Sequence, residues 1–467
     1  MAGPIGAPTL GATYENMDAS VWIGARDQVS PGHANVDHMW RIMEDLFPLY
    51  RSLCGPGFHQ SLRLLQNYLD LEITEFATGS DVLGWTIPPE FVVNEAWVEN
   101  EAGERVIDFA DHCYHVWIYS QSFDGVLSRD ELIENIATLP EAPNLIPMRQ
   151  TYYREKWGLC ASQRFVDALP EGNYRVHIDT EHRQGYLRFG EYYLPGERKE
   201  EVLINTYLCH PAGANDNLSA VAVAVELFCL LSQLPNRRYS YRLVIGPETI
   251  GPITYIASYP ERMARTIGGY HVLICGDGAP VHYMESYYGD SVFDRAAAHA
   301  LKHCGFEDTI FPYSHVSGGS DSGQLNAVGV RKAVGCFTRS GPPVGFYREY
   351  HSSGDDLELV RPEYLRQTLE VMWYSIMAVE RSVTYKGNYT VDPFLSKHGI
   401  FPYHHGAGEG RVGNQIAQAY YELMGGIDGR IDLLAIAERI GQPITTFDEA
   451  VSDFLRVGLM REVEPEN

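Results

Sequence analysis

The residues best suited to chemistry follow a run of strand-type residues, VLINTYL. His210 comes soon after this run, and a short polar segment then carries Asp216 before an apolar helical stretch begins. Open α/β sheets place their functional groups at the carboxyl ends of strands, so this loop is well placed to bind a metal or a ligand. Taken alone, such a histidine is more often a hydrogen-bonded structural residue, and such an aspartate is more often a helix N-cap.

The same arrangement recurs along the chain, which favours a metal site over those ordinary roles. YRLVIGPE ends in Glu248, HVLICGD ends in Asp277, and the later loop REYHSSGDD carries His351. A mixed set of histidines and carboxylates suits zinc, and a bridging carboxylate can hold two such ions about 3.5–4 Å apart. The pattern predicts a site for one or two zinc ions.

The elements around these residues predict an α/β fold. Four apolar runs, VLINTYL, YRLVI, HVLIC and KAVGCFT, are candidate buried strands separated by helical stretches. Three-and-four spacing of apolar residues predicts a helix from Val36 to Tyr50 and another from His59 to Leu69. Short β-type runs between about 72 and 140 predict a small β-rich insert, and the last 60 residues have the rhythm of a helix-turn-helix with Gly441 at the turn.

Several motifs together carry a family resemblance. CHPAGANDNLS, PETIG and EYHSSGD resemble the bacterial aminopeptidase-like proteins related to double-zinc, leucyl-type aminopeptidases, and GWTIPPEF, WIYSQSFDG and YYREKWGLC resemble the β insert of that family. The resemblance implies a zinc-exopeptidase-like mixed sheet flanked by helices, with a β-rich insert and a C-terminal winged-helix domain. The predicted divisions are an N-terminal arm at 1–35, the α/β domain at 36–75 and 155–395, the insert at 76–154 and the winged helix at 396–467.

The resemblance also implies a role for each candidate ligand. His210 would bind one metal, Asp216 would bridge both, Asp277 would complete the first site and His351 the second. Typical double-zinc aminopeptidases have two adjacent glutamates, a general base and a ligand, whereas here Glu248 is followed by Thr249. Two roles therefore stay open for Glu248: general base beside a weakly bound second metal, or metal ligand with no separate base.

A second departure from the typical pattern lies close to His210. The typical enzymes carry an aspartate two residues after this ligand, and this chain has Ala212 there. Because groups around the ligands change metal affinity by roughly 10–100-fold, one zinc, two zincs or another divalent ion all remain possible.

Other residues are candidates for contact with substrate or for support of the ligands. The glycine-serine-aspartate loop SGGSDSGQLN is either such a support or a plain turn. Tyr350 is predicted to stabilise the oxyanion of the reaction, or else to pack. The supporting candidates are Asn215, Asn217, Ser320, Asp321 and Asp355.

Composition limits the partners. The formal net charge is −25, from 36 Lys plus Arg against 61 Asp plus Glu, which disfavours nucleic acid and anionic lipid. The predicted recognition helix carries Asp448, Glu449 and Asp453, so the C-terminal module is expected to pack or dimerise rather than to bind DNA. Eight scattered cysteines without a CxxC pair, and no visible export signal, lead us to expect a reduced, cytoplasmic protein without a membrane anchor.

Taken together, these observations predict a metal-dependent hydrolase of the aminopeptidase type. It would cleave an amide or peptide bond of a small amine-bearing substrate by means of water activated at the metal, and it could form a homo-oligomer. Two alternatives stay open. One is an amide rearrangement like that of glutaminyl cyclases, which use one zinc on a similar scaffold. The other is a catalytically silent protein that binds a metal and a ligand.

Overall fold

A computed structural model describes Gly32 and residues 34–314, 320–400 and 411–463, so most of the predicted N-terminal arm lies outside the described residues. The chain divides into two compact units, Val29–Ser382 and a C-terminal unit that begins at Val383. The helices are α1 Val36–Leu46, α2 Pro56–Leu65, α3 Arg129–Ile133, α4 Gln163–Ala168, α5 Ala220–Gln233, α6 Ile250–Ser258, α7 Pro260–Arg265, α8 Val292–His303, α9 Asp321–Leu325, α10 Pro362–Arg381, α11 Arg411–Gly426, α12 Leu433–Ile440 and α13 Asp448–Arg456.

The strands occur in five sheets. They are β1 Glu72–Ala77, β2 Asp81–Val82, β3 Trp85–Thr86, β4 Glu90–Glu99, β5 Arg105–Asp108, β6 Phe123–Ser128, β7 Ile136–Ala137, β8 Leu159–Cys160, β9 Asn173–Arg183, β10 Tyr186–Leu194, β11 Glu201–Tyr207, β12 Ser240–Gly246, β13 Thr266–Val272, β14 His282–Met284, β15 Ile310–Phe311, β16 Ala333–Thr338, β17 Thr384–Gly387, β18 Asp428–Asp432 and β19 Met460–Glu462.

A mixed eight-stranded sheet forms the centre of the first unit. Its order is β1-β10-β12-β11-β13-β16-β14-β15, and β12, β11, β13 and β16 run parallel to one another. Every residue of β11 and β12 is buried, which explains why these strands read as continuous apolar runs instead of alternating ones. Three of the predicted core strands coincide with β11, β12 and β16, whereas HVLIC overlaps β13 only at His271 and Val272. The predicted α/β fold with a mixed sheet flanked by helices is confirmed.

Helices cover the sheet through apolar contacts. Helix α5 follows the His210 loop and is buried around most of its circumference, and α1 and α10 pack against it. Among the described residues one helical stretch, Ala214–Gln233, would be long and apolar enough to cross a membrane, but 94% of its apolar window is buried inside the fold. Its apolar character is therefore accounted for by the protein core.

A second, antiparallel sheet is built from β5, β4, β9 and β6, with its own apolar core. Strand β9 lies beyond residue 154, where the insert is predicted to end, and β1 at the start of this region pairs with β10 in the large sheet. The small sheet therefore uses a strand that leads directly into the large one.

The C-terminal unit combines α11, α12 and α13 with an antiparallel sheet of order β18-β17-β19. Gly441 ends α12 in the left-handed conformation, at a φ of +64°, and a 3-10 turn then leads into α13. A glycine at this C-cap meets little steric penalty, so the helix-turn-helix rhythm has a local cause. The unit begins before the predicted boundary at 396, and its assignment as a winged helix stays a prediction.

Candidate metal centre

The loop after β11 places two candidate ligands below the amino end of α5. β11 ends at Tyr207 and His210 follows three residues later. Asp216 lies in the segment Ala214–Ser219 that leads into the helix, but its own backbone is non-helical, at a φ of −110° and a ψ of +85°. Ala212 has a φ of +46° and the Asp216–Asn217 peptide bond is cis. A positive φ is uncommon for a residue with a side chain, so the surrounding contacts must hold this turn in place.

The two asparagines beside Asp216 provide such contacts. The Asn217 amide donates to the Tyr207 carbonyl at 3.1 Å, and its oxygen accepts from the Ile274 N–H at 2.9 Å. The Asn215 amide donates to Asp277 Oδ2 at 2.9 Å, and its oxygen accepts from the Gly276 N–H at 2.7 Å. Both side chains therefore join the loop after β11 to the loop after β13.

Three side chains meet here: His210 and Asp216, which are buried, and His351, whose side chain is 32% exposed. Asp216 Oδ1 lies 3.2 Å from His210 Nδ1, and Asp216 Oδ2 lies 3.0 Å from His351 Nε2. The two imidazole rings are 5.0 Å apart and nearly perpendicular. The three residues offer ligand atoms that all lie within 4.8 Å of one another. His210, Asp216 and His351 are called the ligand group from here on.

The ligand group has the chemistry of a metal site. His210 Nδ1, Asp216 Oδ2 and His351 Nε2 are buried and have no hydrogen-bond partner among the described residues. Buried polar atoms are nearly always hydrogen-bonded, so three such atoms facing one another call for a shared partner. Two imidazoles and a carboxylate form a donor set that zinc accepts, and the residues present therefore fit a metal ion.

The charges of this group shift its proton equilibria. Burial alone would raise the pKa of Asp216, but the neighbouring charges of His210 and His351 outweigh burial and hold the pKa well below its usual range. Burial alone would lower the pKa of His210, but the charge of Asp216 raises it well above its usual value. The Tyr207 hydroxyl donates to Asp216 Oδ1 at 2.6 Å, so this buried tyrosine also favours the carboxylate form.

Glu248 lies on the other side of the His210 ring. Its Oε2 is 3.2 Å from His210 Nε2, whereas Asp216 faces Nδ1. Burial would raise the pKa of Glu248, but the His210 side chain overcomes this effect and the pKa is lowered. Glu248 forms a second group with Cys209 and the shared His210, and the ligand atoms of this group also lie within 4.8 Å of one another.

The serine and aspartate of the SGGSDSGQLN loop support Glu248. The Ser320 hydroxyl donates to Glu248 Oε1 at 3.0 Å, and Asp321 Oδ1 accepts from the Thr249 N–H at 2.6 Å. Thr249 needs this support because its φ is +64°. Asp321 is fully buried, and burial raises its pKa well above the usual range. In this arrangement Ser320 and Asp321 position the Glu248 turn.

Tyr350 and Asp355 lie on either side of His351 in the chain but act on different neighbours. The Tyr350 ring stacks on His351 at 3.8 Å, and Phe346 stacks on the other face of Tyr350 at the same distance. Asp355 accepts from the N–H groups of Asn215 at 2.6 Å and Asp216 at 3.0 Å. Burial raises the pKa of Asp355 to about 7. Tyr350 thus contacts His351 directly, and Asp355 holds the main chain at Asp216.

Asp277 is the predicted ligand whose surroundings differ most from the prediction. Its Oδ2 accepts from the Asn215 amide and its Oδ1 accepts from the Ala279 N–H at 2.8 Å. Among the described residues it is not part of a cluster with metal-binding spacing. Its role as a ligand stays a prediction.

Three supporting residues were not identified from the sequence: Tyr207, Arg51 and Tyr114. The Tyr114 hydroxyl donates to the Pro211 carbonyl at 2.5 Å, and Arg51 Nε donates to the His210 carbonyl at 3.0 Å. Tyr207 could have been suspected, since it ends the strand that precedes His210. The other two lie about 100 residues or more from the loop, and no local pattern indicates them.

Comparisons with known proteins place this chain in a family. The family described as "Domain of unknown function (DUF4910)" matches residues 40–382, and the chain belongs to it. A Clostridium acetobutylicum protein, provisionally named a polysaccharide biosynthesis protein with an aminopeptidase-like domain, is 34% identical over 429 residues, covering 91% of this chain and 96% of that protein.

Two solved structures are similar in fold. A crystal structure of a provisionally assigned peptidase from Clostridium acetobutylicum has a TM-score of 0.84 at 31% identity, covering 92% of this chain and 96% of that chain. A zinc aminopeptidase from Bacillus subtilis has a TM-score of 0.53 at 14% identity, covering 74% and 94% respectively. At that identity the second likeness concerns the fold alone, which is that of an aminopeptidase-like protein.

Proposed function

We propose that this chain is a zinc-dependent hydrolase of the aminopeptidase type, which cleaves an amide or peptide bond of a small amine-bearing substrate. The observation that carries the proposal is the ligand group, whose three buried ligand atoms lack hydrogen-bond partners among the described residues. The aminopeptidase-like domain named in the Clostridium acetobutylicum relative supports it.

His210, Asp216 and His351 would hold the zinc ion, which supplies Lewis acidity for an amide carbonyl and for an attacking water. Glu248 is the residue that we assign as the general base. Its lowered pKa keeps it ionised at neutral pH, and since the zinc ion is assigned to the other three residues, Glu248 would accept a proton from water and pass it to the leaving amine.

Tyr350 is assigned to the substrate oxygen. Its ring is held between His351 and Phe346, and among the described residues its hydroxyl makes no hydrogen bond. A hydroxyl fixed in this way can donate to the oxygen on which negative charge develops. The buried carboxylate of Asp277 and the partly exposed carboxylate of Glu248 would attract the ammonium group of the substrate.

Metal content tests the proposal most directly. The purified protein should contain one or two equivalents of zinc by elemental analysis, and His210→Ala and His351→Ala should each lose it. His177→Ala is a matched control, because His177 also lies beside a carboxylate, Asp124 at 2.7 Å, but in the small sheet. A wild-type protein that holds no metal and takes up no added zinc would contradict the proposal.

Substrate comparison then tests the reaction. The zinc-loaded protein should hydrolyse amino acid amides faster than their N-acetylated forms, since only the former carry an ammonium group. Equal rates would remove the aminopeptidase assignment but leave the hydrolase. Release of ammonia from an N-terminal glutaminyl peptide with ring closure would indicate the cyclase alternative, and binding without turnover would indicate a silent protein.

A further inference from the structure

Two buried arginines lie directly behind candidate ligand residues. Arg51 is 0% exposed and Arg339 is 2% exposed. Arg51 Nε donates to the main-chain carbonyl of His210 at 3.0 Å, and Arg339 Nε donates to the main-chain carbonyl of Asp277 at 2.7 Å. In both loops, therefore, an arginine Nε donates to the main-chain carbonyl of a candidate ligand residue. The two loops follow β11 and β13, which are neighbouring parallel strands.

Neither arginine has a carboxylate partner among the described residues. Arg51 Nη1 donates to the carbonyls of Leu46 and Leu49, and its Nη2 is buried without a partner. Arg339 donates to the Tyr364 carbonyl and to Gln367 Oε1. Burial lowers the pKa of each arginine to about 10. A buried charge that forms no ion pair is costly, and the charge of Asp277 offsets only part of that cost at Arg339, so the presence of both arginines requires a compensating advantage.

The chemistry of the guanidinium group suggests that advantage. It offers five donors in a rigid plane, stays protonated and has no lone pair for a metal. It can therefore donate to the carbonyl of a ligand residue without binding the ion itself. A carboxylate in the same place would compete with the ligands for the ion. Tyr114, which donates to the adjacent carbonyl of Pro211, is likewise a donor that leaves the side chains of the ligand group free.

We propose that Arg51 and Arg339 are positioning residues of the metal centre. Arg51 holds the main chain at His210 directly. Arg339 holds the main chain at Asp277, whose carboxylate accepts from the Asn215 amide beside Asp216, so it acts on the ligand group through Asn215. The inference rests on the proposed metal centre. It predicts that loss of either guanidinium weakens zinc binding by roughly 10–100-fold, the range seen when groups that orient ligands are removed.

The test compares zinc affinity with the stability of the metal-free protein. The full chain would carry Arg51→Met, Arg51→Lys or Arg339→Met, and zinc affinity would be measured by competition with a chelating dye. Thermal unfolding of each metal-free variant would be recorded alongside. We expect both methionine variants to bind zinc 10–100-fold more weakly, with Arg51→Lys in between because it keeps a donor and the charge.

Arg242→Met is the matched control. Arg242 is also buried on the large sheet, but it donates to Glu191 and Glu201 instead of to a ligand carbonyl. It should lower the unfolding midpoint and leave zinc affinity unchanged. Variants of Arg51 and Arg339 that keep wild-type zinc affinity while the midpoint falls would overturn the inference and make both residues purely structural.

Two further arms separate the ways in which the experiment could fail. If Arg51→Met does not fold, Tyr114→Phe still tests the support of the same loop, because it removes only the hydroxyl that donates to Pro211. Unchanged zinc affinity in both Tyr114→Phe and Arg51→Lys would then overturn the role of Arg51. A wild-type protein that binds no zinc would overturn the proposed function itself, and this is visible before a variant is made.

Discussion

Buried charged groups lie near both ends of β11, but their hydrogen bonding differs. At its start, Glu201 belongs to a closed network in which Arg242 and Arg265 donate to its two oxygens at 2.6 and 2.7 Å, while Arg242 and Arg262 serve Glu191 in the same way. Beyond its other end, the ligand group leaves three buried ligand atoms without hydrogen-bond partners among the described residues. Burial of charge is common to both, so it does not distinguish a functional site.

What differs is whether the buried polar atoms all have hydrogen-bond partners. Burial would lower the pKa of Arg242, but its bonds to the two glutamates prevail and the pKa is raised. Arg51 and Arg339, which face carbonyls, have pKa values lowered to about 10. A network that satisfies itself serves stability, whereas one that leaves donor atoms free is prepared for a ligand.

Breaking the closed network gives the largest expected effect on stability. Glu201→Gln removes a counter-charge from the buried Arg242 and from Arg265, whose side chain is 42% exposed. For the buried pair with Arg242, loss of one partner costs about 3–5 kcal/mol. Unfolding in urea should show this loss, and zinc content should be unchanged. A variant that retained its stability but lost zinc would show that the two ends of β11 are not independent.

Removing the metal from the ligand group gives the next largest expected effect on stability. A ligand present at about a thousand times its dissociation constant stabilises the folded state by roughly 4 kcal/mol. Addition of a chelator should therefore lower the unfolding midpoint of the wild-type protein and leave that of His351→Ala unchanged. An equal fall in both would mean that the chelator acts elsewhere than at the ligand group.

The sequence predicted the features that depend on local patterns of residues. His210, Asp216 and Glu248 were recognisable because each follows a buried apolar strand, and parallel strands bring such ends to one edge of a sheet. The turn at Gly441 was recognisable because a glycine between two amphipathic helices is a local signal. The central strands were recognisable because strands buried on both faces read as continuous apolar runs.

Contacts between distant segments were beyond such rules. Arg51 reaches the His210 carbonyl across 159 residues, and Asp355 reaches the Asp216 N–H across 139. The small sheet takes β9 from beyond the predicted insert, because pairing between distant strands depends on tertiary register and not on composition. The surroundings of Asp277, bonded to Asn215 and Ala279, are likewise set by the meeting of two loops.

The smallest expected effect is on zinc affinity and comes from the loss of a single hydroxyl group. Tyr207→Phe removes the hydroxyl that donates to Asp216 Oδ1 and keeps the ring beside His210. Because this bond orients the carboxylate shared by both histidines, its loss should weaken zinc binding by about tenfold, near the lower end of the range for such supporting groups. Tyr241→Phe is the control, since Tyr241 is equally buried but donates to Glu380. Weaker zinc binding in the Tyr207 variant alone would tie the orientation of Asp216 to metal affinity, whereas equal affinity in both variants would show that the two histidines alone suffice to hold that carboxylate.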